Sequence, residues 1–268
     1  MIAFPPCKIN LGLNVLEKRN DGYHNLETCF YPIPLTDILE ILPSQQLSFI
    51  PTGTLIPGES TDNLCLRAYA LLKKTFDIPP VDIHLHKVIP TGAGLGGGSS
   101  DAAYTLRLLN DLFALQLTID QLSHYAQQLG SDCSFFIQNE AMLGKGRGEI
   151  LEPVHFSLSG KYLVLIMPDV HVSTAEAYRG VVPQAAKQSV KSILENIPLP
   201  DWKDVLKNDF EASVFNGHPI IKHYKERLYE LGAVYASMSG SGSSVFGIFD
   251  HPIAYTDEAL IWSGVLTR

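Results

Sequence analysis

No run of apolar residues in this chain approaches the roughly 18 that a membrane span requires. Positive charge is short: 20 Lys and Arg stand against 28 Asp and Glu, a formal net charge of −8. That balance excludes a general nucleic-acid binder, which carries a basic face. It also means that the field of the whole protein repels anions, so any phosphate site has to be built locally from backbone N–H groups and a few cations. Cysteine is scarce. Cys7, Cys29, Cys65 and Cys133 lie far apart and form no CxxC pair, so no zinc site is expected. Each reads as a small buried apolar residue in a reduced, cytoplasmic chain. The N-terminus lacks a basic segment followed by a small-residue cleavage site, and no signal or transit peptide is expected. Also missing are the GxxxxGK[ST] loop of the Walker type, the VAIK, HRD and DFG sets of protein kinases, and any internal repeat.

What is there is an ordinary globular composition, 46% hydrophobic and 18% charged over 268 residues. The length suits one large domain or two smaller ones. The run HFSLSGK ahead of a fresh apolar strand puts a boundary near residues 155–160, giving domains 1–157 and 158–268. Cys7 to Leu16 alternates, with Ile9, Leu11, Leu13 and Val15 on one face and Lys8, Asn10, Gly12 and Asn14 on the other. Asn20-Asp21-Gly22 is a turn, and Tyr23 to Tyr31 the returning strand. Short strands follow over 35–42 and 46–50, and Thr61 or Asp62 is the expected cap of a helix through Leu72. Val81 to Val88 alternates again. Ser99 or Ser100 is the expected cap of the next helix, whose apolar stripe is Ala102, Ala103, Leu106, Leu109 and Phe113. Thr118 with Gln121 forms a capping box, and Gly130 is the expected stop of the helix it opens. In the second half, strands are expected over 161–167, 234–237 and 245–249. A helix lies between loops within 183–200, and another over 220–231 is closed by Gly232.

The densest signal is PTGAGLGGGSS, that is Pro90, Thr91, Gly92, Ala93, Gly94, Leu95, Gly96, Gly97, Gly98, Ser99 and Ser100. Glycines let the backbone approach a ligand, successive N–H groups can form an anion nest, and the following helix brings its positive end to the same place. Three readings compete. A flexible linker fits poorly between a patterned strand and a capped helix. A dinucleotide fold is suggested by the literal GxGxxG at Gly92–Gly97. However, the preceding strand alternates with Asp and His where a central parallel strand is nearly all apolar, and Asp111 falls inside the helix pattern. The third reading is the phosphate cradle of a kinase.

The residues KVIPTGAGLGGGSSDAA closely resemble the nucleotide loop of the GHMP kinase superfamily. Agreement extends to CKINLGLNV with NDGYHNLE, STDNL at 60–64, LGSDCSFF at 129–136, GKGRGEIL at 144–151, NDFE at 208–211 and SMSGSGSSVFGIF at 237–249. The resemblance covers most of the chain. The early Lys-x-Asn with DGYH resembles a branch distinct from homoserine and mevalonate kinases, one with a cytidine-bearing acceptor. One departure is local: where the family usually reads GADVPFF, this chain has Gly130, Ser131, Asp132, Cys133 and Ser134.

The resemblance implies an α+β, two-domain GHMP kinase fold. Its N-terminal domain is expected to be like the second domain of ribosomal protein S5, and its C-terminal domain ferredoxin-like. It implies ATP and Mg2+ as cofactors, with the eleven residues 90–100 holding the nucleotide and Ser99 or Ser100 as a contact for the metal. The expected partner is a small-molecule acceptor in a monomer or homodimer, with no nucleic acid and no membrane.

The family's catalytic aspartate falls on Asp132, and its lysine on Lys8. By position alone Asp132 is equally a helix N-cap, and Lys8, roughly 7 Å along the strand from Asn10, is equally part of a solvated face. Tyr23 and His24 resemble the family's cytidine-binding pair, an aromatic ring for stacking and a His for an edge. Tyr178 is a candidate second ring. Asn10, Ser239, Gly240, Ser241 and Gly242 are the remaining acceptor-binding candidates, and the last four read equally as a simple hairpin turn. Lys145 and Arg147 offer cationic reach or a solvated loop.

Overall fold

The computed structural model describes residues 1–58 and 62–267. The elements in chain order are β1 (Ile2–Ala3), β2 (Pro6–Lys18), β3 (His24–Thr36), β4 (Ile38–Pro43), β5 (Ser48–Gly53), α1 (Leu64–Lys73), β6 (Val81–Lys87), α2 (Gly97–Leu112), α3 (Ile119–Gln127) and α4 (Cys133–Gln138). Then follow β7 (Met142–Gly146), β8 (Ile150–Pro153), β9 (Tyr162–Ile166), α5 (Thr174–Arg179), α6 (Val190–Asn196), α7 (Trp202–Val205), α8 (Phe210–Gly217), α9 (Pro219–Glu230), β10 (Tyr235–Met238), β11 (Val245–Phe249) and β12 (Leu260–Val265).

Two compact units form, and both are discontinuous. One comprises Met1–Lys8, Pro32–Thr91 and Gly96–Glu140; the other comprises Ile9–Tyr31, Gly92–Leu95 and Ala141–Arg268. The first holds a sheet of order β1-β4-β6-β5. Its β4–β6 pairing is antiparallel and its β5–β6 pairing parallel. Helices α1 to α4 belong to the same unit, and α2 packs on β4 and β1. The second contains a sheet of order β10-β11-β9-β12, whose described pairings are antiparallel, backed by α9. Val164, Ile166, Phe210, Ile221, Leu228 and Val245 lie in its core. A third sheet runs β2-β3-β7-β8. Mostly antiparallel pairing is what alternating sequences favour over a doubly wound sheet, although β10 and β11 are buried on both faces.

Several local expectations change. The cap of α1 is Asn63, whose side chain accepts from Cys65 N at 2.8 Å, not Asp62; Thr61 lies outside the described residues. Helix α2 starts earlier than expected, at Gly97, with Gly96 as its N-cap, so Ser99 and Ser100 sit inside its first turn rather than capping it. The capping box of Thr118 and Gln121 forms as expected. Gly130 is not a left-handed stop, because α3 ends at Gln127 with Gln128 as its C-cap. The strand expected over 35–42 is broken at Asp37, which separates β3 from β4.

Candidate active site

Strand β2 does not have a solvated face. It is buried from Pro6 through Leu13, and Lys8 and Asn10 are only 3% and 2% exposed. A buried ammonium is expensive unless it is paired. In the first unit, Lys8 Nζ lies 3.7 Å from Asp132 Oδ2. Asp132 occupies the N-cap position of α4, yet its side chain makes no capping bond. Burial lowers the Lys8 pKa, and the charge of Asp132 opposes that shift.

The second half of the glycine loop belongs to the same unit. Gly96 has φ +70°, and a Cβ there would meet the Phe136 ring at 3.0 Å and Lys8 Cε at 3.2 Å. Only glycine fits so close to the lysine stem in a left-handed conformation. Gly96 offers no side chain to cap α2, which leaves the N–H groups of its first turn without a side-chain partner from the cap. A Cβ on Gly98 would have only Leu64 Cδ1, at 3.9 Å, for a neighbour. An open first turn with uncapped N–H groups and a positive dipole end is a fit for phosphate. Ser99 is half-buried, whereas Ser100 is fully buried and its Oγ finds no partner among the described residues.

Beneath the loop is a cluster that sequence reasoning missed. Lys87 Nζ donates to Asp37 Oδ2 and, at 2.8 Å, to Asp101 Oδ2. All three side chains are buried. Asp37 Oδ1 accepts from Val88 N at 2.6 Å and Ile89 N at 2.9 Å. Burial, with the second carboxylate on the same ammonium, raises the Asp101 pKa to about 7 although Lys87 opposes it. The two carboxylates outweigh burial at Lys87 and raise its pKa.

In the second unit, Gly94 has φ +75°, and a Cβ there would stand 2.2 Å from Ser239 O. Ser239 Oγ donates to Gly94 O at 3.0 Å and accepts from Asn10 N at 3.2 Å. Asn10 Nδ2 donates to Thr28 Oγ1 at 3.0 Å. The turn at 239–242 is therefore anchored internally. Ser239, Gly240 and Gly242 are buried, and Ser241 is the half-buried member. Its shape is set by two further residues that sequence reasoning left without a role. Asn208 Nδ2 donates to Met238 O and Gly240 O, both at 2.8 Å, and Glu211 Oε1 accepts from Met238 N at 2.9 Å. The close approach that glycine permits at position 12 is made by Leu206, whose Cδ1 would lie 2.4 Å from a Cβ.

The His24 and Tyr178 rings stack on each other, with centroids 4.7 Å apart and 18° between planes. Tyr178 also meets Phe210 edge-on. Tyr23 takes a different neighbour. It is 55% exposed, and the Arg147 guanidinium lies 4.9 Å from its ring centroid. Lys145 pairs with Glu152 on the surface, a contact worth little. The four cysteines are free and buried, and burial pushes the Cys7 and Cys133 thiols up to about 12.

The chain carries both halves of a GHMP kinase. Residues 63–140 match the family of GHMP kinase N-terminal domains, and residues 183–255 the family of GHMP kinase C-terminal domains. A 4-diphosphocytidyl-2-C-methyl-D-erythritol kinase of Cytophaga hutchinsonii is 55% identical over 251 residues, 93% of each chain. One of Parabacteroides distasonis is 50% identical over the full length of both. The crystal structure of a 4-(cytidine 5'-diphospho)-2C-methyl-D-erythritol kinase superposes with a TM-score of 0.80 at 35% identity, covering 92% of this chain and 90% of the other. A mevalonate kinase at 17% identity and a TM-score of 0.66 shares the fold. The chain belongs to the 4-diphosphocytidyl-2-C-methyl-D-erythritol kinase family of small-molecule GHMP kinases. Among the described residues no helix is long and apolar enough to cross a membrane.

Proposed function

We propose that this chain transfers the γ-phosphoryl group of ATP to the 2-hydroxyl of 4-diphosphocytidyl-2-C-methyl-D-erythritol. This reaction is a step of the non-mevalonate (methylerythritol phosphate) route to isopentenyl diphosphate and isoprenoids. Asp132 is the general base and Lys8 its partner. The observation that carries the reading is the Lys8–Asp132 pair, with the carboxylate turned away from the capping duty its position offers. The acceptor hydroxyl gives its proton to the Asp132 carboxylate as its oxygen bonds to the γ-phosphorus. The bond to the β,γ-bridging oxygen breaks, and ADP leaves. Such a transfer depends on positioning and charge stabilisation more than on covalent chemistry by the protein. The Lys8 ammonium lies beside the Asp132 carboxylate and offsets charge on the transferring group.

Residues 90–100 hold the triphosphate, with the first-turn N–H groups of α2 as donors. Ser99, the more accessible of the two serines, is the hydroxyl available to a phosphate-bound Mg2+. When bound, Mg2+ neutralises phosphate charge, and most of its ligands are phosphate oxygens and water, so a dedicated cluster of carboxylates is not required. Asn10, Tyr23, His24, Tyr178 and the turn at Ser239, Gly240, Ser241 and Gly242 recognise the acceptor. The aromatic residues suit a pyrimidine, and Ser241 is the turn's accessible hydroxyl.

The test is Mg-ATP with a panel of hydroxylated acceptors. ADP release with 4-diphosphocytidyl-2-C-methyl-D-erythritol alone supports the reading, and release with homoserine or mevalonate instead overturns it.

A further inference from the structure

Lys87 ends β6 and Asp101 lies in α2, so these two residues flank the glycine loop on either side. Their side chains meet at 2.8 Å in the interior. The ion pair therefore closes the loop at its base. Asp37 completes the closure, since its second oxygen accepts both backbone N–H groups at the point where β6 gives way to the loop. We propose that Lys87 and Asp101, with Asp37, are positioning residues that clasp the glycine loop and hold its two ends in the nucleotide-binding arrangement before nucleotide arrives. The inference rests on the reading that the loop holds ATP.

Three observations carry it. First, the arrangement is a poor device for stability. One ammonium is shared by two buried carboxylates, and such groups are often replaced by apolar residues at no loss, because desolvation offsets the attraction. What the cluster does supply is a fixed geometry between three separate segments: the end of β6, the corner between β3 and β4, and the start of α2. Second, the ammonium lies against the first residue of α2. A Cβ on Gly97 would stand 3.2 Å from Lys87 Nζ and 2.9 Å from Ile89 Cγ2. A shift of Lys87 is thereby passed to the turn whose N–H groups are the phosphate donors. Third, the loop itself is rich in glycine, with positive φ at Gly92, Gly94 and Gly96. Such a segment loses much freedom on ordering, and an external clasp reduces the share of that loss that falls on binding.

The test compares Asp101→Leu, Asp101→Asn and the parent protein. Leu matches Asp in shape, removes the surplus buried charge and leaves Lys87 paired with Asp37, while Asn keeps an oxygen for Lys87. Hydrogen exchange without nucleotide is followed at residues 88–91 and 96–100, with 120–127 as the internal control. In Asp101→Leu the loop ends are expected to exchange about tenfold faster while the control is unchanged, and the Kd of a non-hydrolysable ATP analogue and the KM for ATP are expected to rise about tenfold with the acceptor KM unmoved. Asp101→Asn is expected to return all three to within about threefold of the parent. If Asp101→Leu does not fold, Asp101→Ala takes its place with the same expected outcome. Parental exchange at the loop ends in a folded Leu or Ala variant overturns the clasp. So does a rise in ATP and acceptor KM together. If the parent protein binds no ATP analogue, the nucleotide reading fails, and the exchange data still judge the clasp on their own.

Discussion

Asp132 stands at the N-cap of α4 and leaves it uncapped, its Oδ2 instead lying 3.7 Å from Lys8 Nζ. A capping bond typically stabilises a protein by about 1 kcal/mol, so a carboxylate that forgoes it for a more distant ammonium is better explained by chemistry than by helix stability. Asp132 is also the accessible member of the pair, its side chain 30% exposed against 4% for Lys8. Asp132→Asn is therefore expected to lower kcat by about 100-fold or more, the lower range of a general base's contribution, while ATP binding stays within about threefold because no charge is removed from the loop. Single-turnover kinetics and calorimetry with an ATP analogue check the two halves. Near-parental turnover removes Asp132 as the base.

Lys8 leads to a prediction with a sign. Burial depresses its pKa from the ordinary 10.5. If the ammonium is the working form, kcat falls as pH rises through a value below 10.5. Lys8→Arg, which stays charged, moves that limb upward in whatever activity it retains. The same depression affects stability. The unfolded chain holds this proton more tightly, so the penalty is full below the folded pKa and is relieved as pH climbs from that value to 10.5. Lys8→Met removes the penalty and leaves Asp132 in contact with water. At neutral pH it is expected to abolish turnover without lowering Tm, and to raise Tm by about 2–4 °C for each kcal/mol recovered. A pH–rate series and thermal melts decide both points.

The glycine loop separates two roles for one residue type. Gly94→Ala puts a Cβ 2.2 Å from a backbone oxygen at φ +75°, so the backbone must move. The expected loss of stability is about 1–3 kcal/mol. Gly98→Ala meets open space in the first turn of a helix, where alanine gains up to about 1 kcal/mol over glycine. If phosphate approaches this turn, Gly98→Ala is expected to raise the KM for ATP about fivefold or more while Tm holds or rises. Melting curves and ATP titrations on the pair distinguish a glycine needed by the fold from one needed by the ligand. A Gly98→Ala protein with parental KM removes the first turn of α2 from the phosphate site.

Much of this was legible in the chain. The glycine segment, the capping box at Thr118 and the pairing of Tyr235–Met238 with Val245–Phe249 all follow from local chemistry, and local chemistry acts over a few residues. The motifs also pointed to Lys8 and Asp132, but their meeting depends on α4 being carried back to β2 by the packing of three helices, which no local rule encodes. The sequence leaves the burial of Lys8 open for the same reason: period-2 alternation assigns a polar face to solvent and is blind to a strand covered on both sides. One signal for the Lys87 cluster is present in the strand pattern. Lys87 shares its strand face with Val81, Ile83 and Leu85, so the alternation itself placed a lysine inward, and an inward lysine demands a carboxylate. Asp37 and Asp101 are those carboxylates, and their distance in sequence hid them.

Asn208, like Glu211, has a part that emerges only in three dimensions. Its amide nitrogen holds Met238 O and Gly240 O at once, and its oxygen accepts Phe210 N at 3.0 Å, so one side chain ties the start of α8 to the Gly/Ser turn. Removing it leaves two buried carbonyls without this donor, a loss of about 1–3 kcal/mol. Asn208→Ala is therefore expected to lower Tm by several degrees. Because the turn at 239–242 is proposed to face the acceptor, it is also expected to raise the acceptor KM about tenfold with kcat reduced far less. Asn208→Asp keeps the oxygen for Phe210 N and loses both donations, so it should reproduce the alanine phenotype, whereas Asn208→Gln retains the amide and should recover part of the affinity if its longer reach can be accommodated. Steady-state kinetics with the acceptor varied at saturating ATP read this out. An alanine variant that loses stability alone, with the acceptor KM unchanged, assigns Asn208 to the fold and detaches the Gly/Ser turn from acceptor recognition.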